Sequence, residues 1–212
     1  MRGLRDRAIV AAVFLSLSAG GAVACQGGKV LFEDHFDQGE LQSTWEGSPD
    51  SVKLIGGRMV ISAQPDWAVW VPNTAGLYDD IDLCADVTTV HAIDPTTNYV
   101  GLVFWYADDK NFYTVETDAS GEASIWRKQR DKWLAQVAWT KDASVRAGDG
   151  ATNQLRVITK GNTATFYING TKFRDITGQP PANGQEIGMI AYSPKKGTAT
   201  YAFANVEVTQ PE

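Results

Sequence analysis

The residues best equipped for chemistry in this chain are aromatic and acidic. Seven Trp and seven Tyr are spread over 212 residues. Indole and phenol rings stack on the C–H faces of sugars, while Asp, Glu, Asn or Arg bond the hydroxyls. Side chains alternate across a strand. Alternation puts Trp105 opposite Leu102 and Phe104, Glu116 opposite Tyr113 and Val115, and Trp126 opposite Ala123 and Ile125. If the three segments are neighbours in one sheet, Trp105, Glu116 and Trp126 make a polar-aromatic groove for carbohydrate. Trp67, Trp70, Trp133 and Trp139 are assigned to packing.

Glycoside hydrolysis needs two carboxyls, about 5–5.5 Å apart for retention and about 6.5–9.5 Å for inversion. Glu116 and Asp118 are the nearest candidates, two apart on one strand face, with Cα atoms about 7 Å apart. A solvated strand end explains them equally well. The two His, His35 and His91, are too distant in sequence to suggest a zinc set. No Gly-x-Ser-x-Gly elbow occurs. No catalytic or metal-binding residue is therefore assigned. Calcium needs only oxygen ligands, and the loop acids Asp79, Asp80, Asp82, Asp94, Asp108 and Asp109 could supply them. The formal net charge is -6 and no basic run exists. That excludes nucleic acid as a natural partner, because phosphates demand clustered Lys and Arg.

The first 24 residues read as an export signal. Arg2, Arg5 and Arg7 precede the apolar run Ala8 to Ser18, and Ala22-Val23-Ala24 offers a cleavage site. The run is shorter than the roughly 20 residues a membrane span requires. Cleavage before Cys25 leaves a single domain, residues 25–212, in the periplasm or outside a bacterial cell. Cys25 then has two exclusive fates. Lipidation would anchor the chain in the envelope, although Ala22 stands where such signals more often carry Leu. Alternatively, Cys25 bonds Cys84, the only other Cys. Alternation places Cys84 outward with Asp82 and Asp86, and an exposed thiol does not persist in an oxidising compartment.

Positioning these residues falls to strands. Period-two alternation recurs at 29–34, 52–54, 58–63, 67–71, 81–90, 99–107, 112–117, 123–128, 133–139, 153–160, 163–169, 171–175, 186–193 and 199–209. Gly, Asn, Asp and Pro fill the gaps. Asn169-Gly170 suits a type I′ hairpin turn, because both central residues need positive φ. The one helical candidate, Asp142 to Arg146, is a single turn. In the last strand, Phe203, Asn205 and Glu207 are expected on one face and Ala204, Val206 and Val208 on the other. So many short strands with frequent turns imply an all-β sandwich or barrel. A two-sheet sandwich fits best; an eight-stranded lipocalin-like barrel would need fewer, longer strands.

The order of several short motifs resembles the concanavalin A-like jelly-roll sandwiches. They include Phe32-Glu33-Asp34-His35-Phe36-Asp37 with Trp45, Gly56-Gly57-Arg58, Gly101-Leu102-Val103-Phe104-Trp105-Tyr106, Asn111-Phe112-Tyr113, Phe166-Tyr167-Ile168-Asn169-Gly170 and Phe203-Ala204-Asn205-Val206. Within that superfamily the chain looks most like laminin-G-like domains of bacterial secreted proteins and the related 3-keto-disaccharide hydrolase domain. The resemblance implies two antiparallel sheets, one concave, and no single function. Laminarinase-type glycosidases of the superfamily carry Glu-x-Asp-x-Glu. Here the run is Glu116-Thr117-Asp118-Ala119-Ser120-Gly121-Glu122, with the third acid displaced by a turn. The features favour an exported, monomeric, non-catalytic module that binds a glycan or another surface polymer. A hydrolase of the 3-keto-disaccharide type and a structural envelope lipoprotein are the alternatives.

Overall fold

A computed structural model describes residues 25–212; the expected signal segment lies outside the described residues. Fourteen strands follow one another. They are β1 (Val30–Asp34), β2 (Val52–Leu54), β3 (Met59–Ala63), β4 (Trp67–Tyr78), β5 (Asp82–His91), β6 (Tyr99–Asp108) and β7 (Asn111–Asp118). Then come β8 (Glu122–Gln129), β9 (Lys132–Lys141), β10 (Thr152–Lys160), β11 (Thr163–Ile168), β12 (Thr171–Thr177), β13 (Gln185–Ser193) and β14 (Ala199–Thr209). Among the described residues there is no helix, and Asp142–Arg146 is an irregular turn.

The strands form two antiparallel sheets stacked as a jelly-roll sandwich. One runs β12-β11-β10-β5-β14-β3-β2, with β1 also pairing β14; the other runs β4-β13-β6-β7-β8-β9. The Asn169-Gly170 turn behaves as its residues dictate, with φ of 51° and 79°, and sets Ile168 opposite Thr171. β4 continues through Pro72 to Tyr78 instead of stopping at Val71. It is an edge strand whose neighbour in the sheet is β13, and the Pro72 carbonyl turns the other way to accept from Glu46 N, so the missing N–H of Pro72 is tolerated.

The core lies between the sheets. Leu83, Ala85, Val87, Leu155, Val157, Phe166 and Ile168 come from one side, and Val100, Leu102, Phe104, Val115, Ile125 and Met189 from the other. Each large apolar side chain removed from water contributes about 1.5–3 kcal/mol. The alternation expected in β6, β7 and β8 holds at these positions.

Bulges break it elsewhere, two of them at non-glycine residues with positive φ. Trp105 has a φ of 47°, and the pairing of β6 with β13 and with β7 slips around it. The extra residue turns Trp105 inward, so it joins Phe104 in the core instead of standing opposite. Tyr106 then falls on the outer face beside Val103 and Phe112. Asn205 has a φ of 51° and does the same in β14. Phe203 and Val206 consequently share the core, where strict alternation separates them.

Candidate binding groove

The six-stranded sheet has one face in the core and one turned away from it. On the outer face the register lines up Gly101, Glu116 and Ser124 across β6, β7 and β8. Val103, Thr114 and Trp126 form the next row, and Phe112, Lys128 and Trp133 another. A cavity of about 190 Å³ opens here, lined by Tyr99, Glu116, Trp126, Trp133 and Trp139. Glu116 and Trp126 thus meet in one groove, as expected. Trp105 does not join them; it is 1% exposed beneath the sheet, held there by the bulge.

Tyr99, Trp133 and Trp139 were not foreseen in the groove. The two Trp come from β9, whose register with β8 slips twice, at Ala123/Ile125 and at Ile125/Trp126. Simple alternation would put Val137 on the face of Trp133 and Trp139. The slips let Val137 pack on the core while both Trp line the groove. Tyr99 is fixed by stacking on Tyr192, with ring centres 4.9 Å apart and planes 14° from parallel. Trp139 lies 5.9 Å from the other side of this pair, against Tyr99. Phe112 supports Trp133 edge-on at 5.5 Å.

Glu116 is the acidic member of the lining, and it is only 2% exposed. Thr114 Oγ1 donates to its Oε1 at 2.7 Å and Ser124 Oγ to its Oε2 at 3.3 Å. Burial pushes the carboxyl up to about 7, against the opposing pull of those two hydroxyl donors. Burial, reinforced by Glu116, also raises the Tyr99 phenol well above its ordinary range. Trp126 Nε1 donates to Ser124 Oγ at 3.1 Å, so the indole is tied to the acid through one hydroxyl.

A second network braces the neighbouring part of this face. Lys128 Nζ sits 4.3 Å from the Trp70 ring centre and donates to the Asp109 carbonyl at 2.7 Å. Asp109 Oδ1 accepts from Trp70 Nε1 at 2.7 Å and from Tyr106 OH at 2.8 Å. Those donors hold the Asp109 carboxyl below its ordinary value.

Five other candidate acids have structural partners. Asp118 accepts from Ser120 N and Glu122 N and closes the turn between β7 and β8. Asp82 pairs Arg156 through two bonds, of 2.7 and 2.6 Å. Asp80 accepts from Gly161 N, Asp94 from Thr96 N and Asp108 from Lys110 N. Among the described residues, the acidic, His and Cys groups that approach metal-holding distance are Cys25, Cys84 and Glu207. The two sulfurs in that set are bonded to each other, with Cα atoms 5.7 Å apart. Cys84 does point away from the core, as alternation requires, but the segment carrying Cys25 covers it to 3% exposure. Cys25 N donates to Glu207 Oε2 at 3.0 Å and completes that cover.

No protein-family model matches the chain, and no curated protein matches it. Solved structures do. The carbohydrate-binding module CBM66 from Bacillus subtilis superposes with a TM-score of 0.57 at 15% identity, over 79% of this chain and 91% of that one. The carbohydrate recognition domain of Emp47p gives 0.65 at 11% identity, over 84% and 94%. A xylan β-1,4-xylosidase from Bacillus halodurans C-125 also gives 0.65, at 13% identity and over 84% of this chain, which spans 39% of the enzyme. At such identities the likeness shows the fold alone: a jelly-roll sandwich of two antiparallel sheets, the architecture of the concanavalin A-like proteins that the motifs resemble.

Proposed function

We propose that this chain is an exported carbohydrate-binding module that holds a glycan on the outer face of its six-stranded sheet. The observation that carries the reading is the buried Glu116 carboxyl beneath a cavity walled by Tyr99, Trp126, Trp133 and Trp139. Indole faces stack on sugar C–H bonds, and the carboxyl, poised near half-protonation at neutral pH, can accept from or donate to a sugar hydroxyl. Proteins named for carbohydrate binding and recognition share the fold, which supports the same reading. The disulfide agrees with an oxidising compartment.

Binding is favoured over hydrolysis because Glu116 is the one carboxyl among the described lining residues, and glycosidases commonly use two. The raised carboxyl is what keeps a hydrolase of the 3-keto-disaccharide type as the second reading, with Glu116 as general acid. One experiment separates them. Residues 25–212 are titrated against a panel of soluble polysaccharides, and the same mixtures are assayed for released sugar, with ordinary and 3-keto disaccharides included. Binding that Trp126→Ala abolishes, without turnover, supports the module. Turnover lost in Glu116→Gln makes the chain an enzyme. Neither binding nor turnover removes the groove assignment.

A further inference from the structure

Trp105, which the groove does not use, walls a second cavity of about 220 Å³. It lies at the end of β6, β7 and β8, where residues 178–181 cross between β12 and β13. The Trp105 Nε1–H is buried and has no hydrogen-bond partner. That nitrogen is closed off from the cavity too, so the indole serves the cavity as an apolar wall. The opposite edge of the indole is sealed by Gly178, where an added Cβ would come within 2.3 Å of Trp105 Cζ3.

The charged part of the lining is cationic. It contains two cations, Arg127 and Lys128, and no carboxylate among the described residues. Lys128 is committed to Asp109 and Asp131. Arg127 has no carboxylate partner among the described residues. Its guanidinium rests 5.2 Å from the Tyr113 ring centre and its Nη2 donates to Gln179 Oε1 at 2.6 Å. Gln179 N in turn donates to Tyr113 OH at 3.0 Å. The cation is therefore held in place with donors to spare, since guanidinium carries five N–H groups suited to a carboxylate. Phe112 and Pro180 add apolar wall.

We propose that this cavity is a second binding site that takes a uronate unit of an acidic saccharide, with Arg127 as the charged anchor and the Trp105 ring as a wall whose indole signal reports occupancy. The saccharide part rests on the carbohydrate reading; the carboxylate follows from the Arg127 guanidinium alone.

The test is a set of ¹H–¹⁵N spectra of residues 25–212, in which assigned indole N–H signals report each Trp separately. Glucuronate, glucose and acetate are titrated in turn. The proposal expects the Trp105 signal to move with glucuronate and not with glucose, and Arg127→Gln to weaken that response about tenfold or more. A still Trp105 signal, an equal response to glucose, an equal affinity for acetate, or an unchanged response in Arg127→Gln overturns it. Trp126, Trp133 and Trp139 report the groove in spectra taken with the polysaccharide panel. A silent Trp105 beside responsive groove signals sinks the second site alone, and the reverse pattern sinks only the groove.

Discussion

Glu116 and Trp126 meet through a single hydroxyl. Ser124 Oγ donates to the carboxyl at 3.3 Å and accepts from the indole N–H at 3.1 Å. Ser124 is itself fully buried between them. The acid and one aromatic wall of the groove are thus positioned by one side chain on β8.

Ser124→Ala removes that link from both sides. The Glu116 carboxyl and the Trp126 N–H each lose a partner, and stability is expected to fall by about 1–3 kcal/mol. Urea denaturation followed by tryptophan fluorescence measures the loss. Unchanged stability would show that water replaces the hydroxyl without cost.

Glu116 should make the protein weaker in mild alkali. Its carboxyl sits at about 7 in the fold against an ordinary 4.5, so the folded state favours the protonated form. The associated stability is complete below 4.5 and is lost as pH rises through 7. The span is worth on the order of 3 kcal/mol. Glu116→Gln should flatten this part of the profile, read as denaturation midpoints at about pH 5 and about pH 8. A wild-type profile that is flat over this interval contradicts the burial argument.

Replacing Cys25 and Cys84 together by Ser should cost roughly 4 kcal/mol by chain entropy. The bond joins residues 59 apart in sequence. Thermal unfolding of wild type with and without reductant should reproduce the gap, while the double variant stays insensitive to reductant.

Trp105 and Trp126 should separate cleanly by stability. Trp105→Ala empties a fully buried site beside Phe104 and Tyr113 and should cost about 3–5 kcal/mol. Trp126→Ala removes a partly exposed ring and should cost about 1 kcal/mol, chiefly its bond to Ser124. Denaturation midpoints of the two variants decide it.

Much of this molecule was legible because most of its strands obey a period of two. That rule placed Leu102, Val115 and Ile125 in the core and Glu116 with Trp126 outside it. It failed wherever one strand gains a residue on its neighbour. Trp105 and Asn205 adopt positive φ without being Gly, which no pattern of residue types announces. The slips along β9 are equally silent, and they bring Trp133 and Trp139 to the groove. Tyr99 shares the alternation face of Gly101 and Val103, but nothing in the sequence singles it out. Its role depends on Tyr192, which lies on β13, far along the chain. In each case the missing information is pairing between distant segments.

The two ends of the described residues lie on the same sheet. Val30 lies opposite Thr209 on the eight-stranded sheet, and Cys25 is stapled to that sheet as well. The aromatic groove opens on the far side of the other sheet. Anything joined at residue 25 or residue 212 would therefore hold the molecule by its back and leave the aromatic groove pointing into the surroundings.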